Sequence, residues 1–141
     1  MAETQNTLLD RLLASPRHKA GARPPNLIIR VRKGLSARAF TVLCEVFEVP
    51  KERMSRVVQI PVRTLARRTT FKPEESERIL RLGRLFQQAV GVFGTAERAR
   101  AWLLEPRAYF GGEAGLDYAD TEPGGREVEA VLGRLEHGVF A

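Results

Sequence analysis

The apolar positions of this chain change period once. Over NLIIRVRK, Leu27, Ile29 and Val31 alternate with charged or smaller residues in a β-branched run, which predicts a short strand over residues 26–33. From Leu35 the spacing becomes helical. Ala39, Val42, Leu43, Val46 and Phe47 recur at i, i+3, i+4, i+7 and i+8, with Arg38, Thr41, Glu45 and Glu48 outside. Ser36 is placed to cap this helix and Pro50 to end it. Two short helices follow over 51–58 and 61–68, with Pro61 at the first turn of the second, where a missing N–H costs nothing.

The longest periodic block runs from Phe71 to Phe93. Pro73, Glu74 and Glu75 make a favourable first turn, and Ile79, Leu82, Phe86, Ala89 and Phe93 form a stripe that Leu85 and Val92 widen. Gly94 closes that helix. Thr95 caps the next, whose Ala99, Trp102 and Leu103 face inward until Pro106. Residues 105–124, EPRAYFGGEAGLDYADTEPG, break the pattern; a connection this long either acts or packs as an ordered lid. Helical spacing returns over 125–136 with Val128, Val131, Leu132 and Leu135. At the other end, Leu8, Leu9, Leu12 and Leu13 suit one amphipathic turn before SPRHKAGARPP, so residues 1–26 read as a flexible N-terminal arm. The sum is an all-α fold with one short strand candidate near the N-terminus, either paired with another copy of the chain or merely extended chain packed on the helices.

Composition fits that reading. An apolar content of 43% with only seven Phe, two Tyr and one Trp makes a core mostly of Leu, Val, Ile and Ala, in one domain or two small ones sharing a core. No apolar run approaches the roughly 20 residues of a membrane span, and no signal-peptide core is present, so a cytoplasmic protein with no membrane partner is expected. The single cysteine, Cys44, excludes an internal disulfide and a multi-cysteine metal site. Its place beside Leu43 and Val46 predicts a buried thiol rather than a nucleophile.

Charge divides the chain. The net of +6 conceals 15 Lys and Arg against 5 Asp and Glu in residues 1–72, and 8 against 12 in residues 73–141. An anionic partner is expected for the first half. From Arg53 to Lys72 there are six cations and no acid. A helix-turn-helix needs a small residue where its helices cross, apolar residues around the turn, and polar or basic residues on the outer face of the second helix. Ser55, Ile60 and Leu65 meet the first two demands. Arg63, Thr64, Arg67 and Arg68 meet the third as base or phosphate contacts, with Arg53 and Arg56 as lesser phosphate contacts. The tight turn often holds glycine, and here the matching residue is Gln59. A solvated basic helix would carry the same charges.

No catalytic set assembles. His18 and His137 stand far apart; Asp117, Asp120 and Glu122 share the long loop but suit turns and caps; Gly111 and Gly112 lack the helix and lysine of a nucleotide loop. The expectation is therefore a binding protein, not an enzyme, with no catalytic residues, no metal and no cofactor.

Several ordered motifs resemble one family. They are RTLARR at 63–68, EESERILRLGRL at 74–85, AVGVFG at 89–94, ARAWLLEP at 99–106, GG and LD at 111–112 and 116–117, and DTEPGGREVEAVLGRLEHGVFA from 120 to 141. Together they cover about residues 34–141 and resemble the Xre, MbcA and ParS antitoxins. Where other members often carry asparagine and proline, this chain has Arg107 and Gly115. The resemblance implies a Cro-like helix-turn-helix over 27–72 and a helical toxin-binding domain over 73–141. It implies the antitoxin of a type II toxin–antitoxin system, whose partner is a RES-type toxin that consumes NAD or transfers ADP-ribose. It further implies homodimers, a higher toxin–antitoxin complex, and repression of its own operon through operator DNA. The toxin-binding residues carried over are Glu136, His137, Gly138, Val139, Phe140 and Ala141, at the toxin's active-site cleft. Val139 and Phe140 suit an apolar anchor there, although Phe140 could equally pack on its own domain. The rival is a plain helix-turn-helix repressor whose C-terminal half dimerises or senses a ligand.

Overall fold

The helical spacing read from Leu35 onward is realised in this computed structural model, which describes residues 8, 10–13 and 27–138. Among them the regular elements are helices, and β-pairing is confined to two isolated bridges, Ser36 with Thr70 and Pro106 with Ala114. In chain order they are α1 (Leu27–Lys33), α2 (Arg38–Phe47), α3 (Lys51–Val58), α4 (Val62–Arg67), α5 (Pro73–Phe93) and α6 (Ala96–Leu104). A 3₁₀ turn (Ala108–Phe110), α7 (Gly115–Tyr118) and α8 (Glu122–Glu136) follow.

The strand predicted over 26–33 is a helix. Alternation of β-branched residues stabilises a strand only beside another strand, and no partner strand stands among the described residues. As α1 the segment satisfies its own backbone, turns Leu27 and Val31 partly inward, and leaves Ile28 and Ile29 exposed. Arg30, Arg32 and Lys33 fall in its last turn, where cations meet the negative helix end. Gly34, at φ 90, closes it with an N–H to Arg30 O at 2.9 Å. The next helix begins at Arg38 after Ala37, so Ser36 is not its cap; Ser36 lies in the bridge to Thr70, where Ala37 N–H donates to Thr69 O at 2.9 Å.

Helix α5 is the axis. Its 21 residues bury Ile79, Leu80, Leu82, Leu85, Phe86, Ala89 and Val90, and α1, α2, α3, α6 and α8 all pack on it. Glu75 accepts the Lys72 N–H at 2.8 Å to hold its first turn, and Gly94 ends it in the left-handed region. Phe86 meets Phe47 of α2 edge-on at 5.1 Å between ring centres. One apolar cluster runs unbroken from Leu8 and Leu12 through α2, α3 and α5 to Val128, Val131 and Leu132 of α8.

Part of the arm expected over 1–26 is packed on the fold. Residues 8 and 10–13 are helical, Leu8 and Leu12 are buried, and Arg11 pairs with Glu45 of α2 at 3.0 Å. Gly83 makes room for Leu12, because a Cβ there would collide with the leucine's Cδ1. Leu9 and residues 14–26 lie outside the described residues.

The long loop is an ordered lid. Phe110 is buried, stacked on Tyr118 at 5.2 Å and edge-on to Trp102 at 6.0 Å, while Leu116 and Ala119 join the core. The last helix starts three residues before the expected 125, because Thr121 accepts the Gly124 N–H at 3.1 Å and Pro123 sits in the first turn. A Pro-Gly-Gly run that looked like loop is thus a capped helix start.

Two glycines separate conformation from space. Gly94 has φ 90 with nothing near its missing Cβ, so Gly94→Ala should cost only the left-handed penalty of about 1–2 kcal/mol. Gly34 has the same φ, but a Cβ there would overlap the Phe71 carbonyl. Gly34→Ala should therefore destabilise by at least about 3 kcal/mol, and equal urea midpoints for the two variants would contradict this packing.

Candidate functional site

The turn between α3 and α4 is built without glycine. Gln59 takes φ 57 and ψ 42, a conformation that costs an L-residue about 1–2 kcal/mol. Local bonds hold it there. Ser55 Oγ donates to Ile60 O at 2.7 Å, Arg78 Nη1 donates to Gln59 O at 3.1 Å, and Gln59 Nε2 donates to Asp120 O at 2.9 Å. Ser55 and Ile60 are buried and Leu65 packs against the core. These three residues stand where a helix-turn-helix requires them.

The six candidate DNA contacts divide into two sets. Arg56, Arg63 and Arg67 are exposed and make no ion pair with an acid among the described residues. Thr64 beside them is half-buried. Arg68 is partly buried, with Nη2 3.4 Å from Glu75. Arg53 is turned elsewhere: its Nη2 and Nε lie 2.7 and 3.3 Å from the two carboxylate oxygens of Asp117. Such a two-pronged pair fixes a guanidinium in direction as well as in place.

Two arginines that the sequence did not single out support this arrangement. Arg78 on α5 donates to Val58 O at 2.8 Å, satisfying a carbonyl at the end of α3 where a cation is favoured. Arg81, one turn on, donates to Ala119 O at 3.3 Å, and its burial lowers its pKa. Both flank the apolar stripe of α5. Their partners are carbonyls distant in sequence, which no local spacing reveals.

At the far end, Glu136, His137 and Gly138 are exposed where α8 stops. His137 N–H donates to Gly133 O at 3.1 Å, and Gly138 turns the chain at φ 70. Val139, Phe140 and Ala141 lie outside the described residues. Arg107 lies 4.7 Å over the Trp102 ring and 3.3 Å from Glu105, so the unusual residue here serves the lid. Gly115 is buried beside Leu103, Phe110 and Val128. No cluster of three or more His, Cys, Asp or Glu suited to a metal occurs among the described residues, and no helix there is long and apolar enough to cross a membrane.

Comparison with known proteins gives two family matches. Residues 27–84 match the antitoxin Xre-like helix-turn-helix domain, and residues 88–138 match the antitoxin Xre/MbcA/ParS C-terminal toxin-binding domain. The two stretches meet inside α5. Similar proteins include an Antitoxin Xre of Yersinia enterocolitica, 37% identical over 120 residues that cover 82% of this chain and 81% of the relative. An Antitoxin Xre of Photorhabdus laumondii is 33% identical over 91 residues, covering 61% and 62%. One of Pseudomonas putida is 32% identical over 83 residues, covering 56% and 52%.

Cys44 of α2, expected to be buried, is half-buried against the core and offers a chemical check on the packing there. Burial, with the charges of Glu45 and Glu52 adding to it, pushes the thiol from an ordinary 9.0 up to about 11. Below pH 9 the folded chain should hold about a hundredfold less thiolate than a free cysteine, so disulfide-reagent labelling at pH 8 should be correspondingly slow. Because the folded pKa is the higher one, this group's contribution to stability is complete below pH 9.0 and is lost as pH rises toward about 11. Labelling as fast as a small thiol at pH 8 would contradict it.

Proposed function

The chain belongs to the Xre antitoxin family, with a helix-turn-helix domain and a toxin-binding domain, and from that premise we propose that it neutralises a RES-type toxin by occluding its active site. The toxin would be one that consumes NAD or transfers ADP-ribose. Residues 73–141 would bind it and residues 27–72 would bind the operator of the chain's own operon, with α5 serving both. The observation that carries this reading is the pairing of two exposed surfaces on one rigid core. Uncommitted Arg56, Arg63 and Arg67 lie on the helix-turn-helix, and Glu136, His137 and Gly138 lie at the opposite limit of α8.

The proposed toxin contacts are Glu136 to Ala141. Gly138 ends the helix, and Val139 and Phe140 follow it in sequence as an apolar pair suited to a cleft. The proposed base and phosphate contacts are Arg63, Thr64 and Arg67, with Arg56 and Arg68 beside them. A homodimer fits this use, since two copies of α4 then reach successive major grooves. Exposed Ile28 and Ile29 on α1 favour self-association as well.

Co-expression with the toxin tests the first half. Deleting residues 137–141 should restore growth arrest, whereas full protection by the shortened chain would rule out occlusion by this tail. For the second half, Arg63→Ala with Arg67→Ala should weaken binding to DNA upstream of the gene. The double change should also lower the slope of log affinity against log salt by about 2. An unchanged slope would remove α4 from the DNA.

A further inference from the structure

The helix-turn-helix is tied to the far end of the chain by a continuous polar seam. Arg53 of α3 grips Asp117 with two bonds of 2.7 and 3.3 Å, and Gln59 of the turn reaches Asp120 O at 2.9 Å. Beneath them Arg78 holds Val58 O and Gln59 O at 2.8 and 3.1 Å, while Arg81 holds Ala119 O at 3.3 Å. Two neighbouring arginines of one buried helix thus fasten the two sides of the seam. More than 50 residues of chain separate those sides, and segment 117–120 lies within the stretch that matches the toxin-binding domain.

Geometry gives this seam a task. The direction in which α4 leaves the turn depends on Gln59 remaining left-handed, and a non-glycine residue there returns to ordinary backbone unless its partners hold it. A guanidinium gripped by a carboxylate through two bonds, as Arg53 is and Arg68 with its single 3.4 Å contact is not, is neutralised locally and turned away from a phosphate. Resting on the DNA-binding reading above, we propose that residues 117–120 form a latch that fixes the helix-turn-helix. Arg53 and Gln59 are its positioning residues, and Arg53 makes no phosphate contact. The reading head for DNA is then set by the domain that receives the toxin.

The latch predicts a pattern that a phosphate contact does not. With the full chain and a labelled duplex of the DNA immediately upstream of the gene, Arg53→Gln and Asp117→Asn should each weaken binding about three- to tenfold. The double variant should be no weaker than the weaker single, because both changes open one contact. The salt slope should stay at the wild-type value in all three. Gln59→Ala, which removes the bond to Asp120 and leaves a residue that resists the left-handed turn, should give a loss of similar size, and Gln59→Gly, which keeps that turn easy, a smaller one. This pair decides the matter should Asp117→Asn fail to fold by thermal melting.

A slope lowered by about 0.9 in Arg53→Gln, with Asp117→Asn binding as tightly as wild type or tighter, would make Arg53 a phosphate contact and overturn the latch. Unaltered binding in both singles, or losses that multiply in the double, would overturn it too. Arg67→Ala serves as the reference. A slope unchanged in that variant would mean that the DNA-binding reading itself has failed, a result distinguishable from failure of the latch.

Discussion

Everything in this protein leans on α5 being buried on more than one side. A helix with a single apolar stripe needs one cover; α5 carries Ile79, Leu82, Leu85, Phe86 and Ala89 on a stripe too wide for that. Helices α2 and α3 cover part of it, α6 and α8 another, and the N-terminal turn slots Leu12 against Gly83. Among the described residues the buried apolar side chains form one cluster shared by both halves. The two family matches therefore meet within a helix instead of at a linker, and the two matched domains share one core.

Charge is arranged around that axis by what each arginine finds nearby. Arg78 and Arg81 find helix-end and loop carbonyls, Arg53 finds Asp117, Arg68 finds Glu75, and Arg100 finds Val46 O at 2.8 Å. These use a cation to satisfy acceptors that the packing would otherwise strand. Arg56, Arg63 and Arg67 have no such acid and stay in solvent. A count of charge in either half treats all of them alike, although an arginine already satisfied within the fold has less to give a phosphate.

The pattern of apolar positions made α2, α3, α5 and α6 legible, because each buries a repeating set of side chains, and Pro50, Pro61, Pro73, Gly94 and Thr95 mark limits between elements. Helix α4 buries none and was read from Pro61 and its basic face. The pattern misread α1, where β-branched residues alternate as in a strand and the decisive fact, absence of a neighbouring strand, is tertiary. It placed the start of α8 late because Pro123, Gly124 and Gly125 look like loop until Thr121 is seen to cap them. Ser55, Ile60 and Leu65 were readable at the helix-turn-helix because crossing helices demand those residue types. The engagement of Arg53 was not. Nothing local distinguishes it from Arg56, and its partner lies 64 positions away.

The same contrast indicates where movement is allowed. The apolar core is a poor place for movement, since close-packed protein interiors respond to displacement by losing contacts outright. The polar seam is different. Its Arg53 and Asp117 side chains retain 28% and 35% exposure, so water can replace each for the other at a cost of about 1 kcal/mol or less. On the proposed function, a signal from the C-terminal domain to the helix-turn-helix needs two arrangements of similar energy. Among the described contacts between the turn and segment 117–120, the seam has that character and the core does not. The proposed latch therefore acts through side chains that trade partners with solvent, packed against α5.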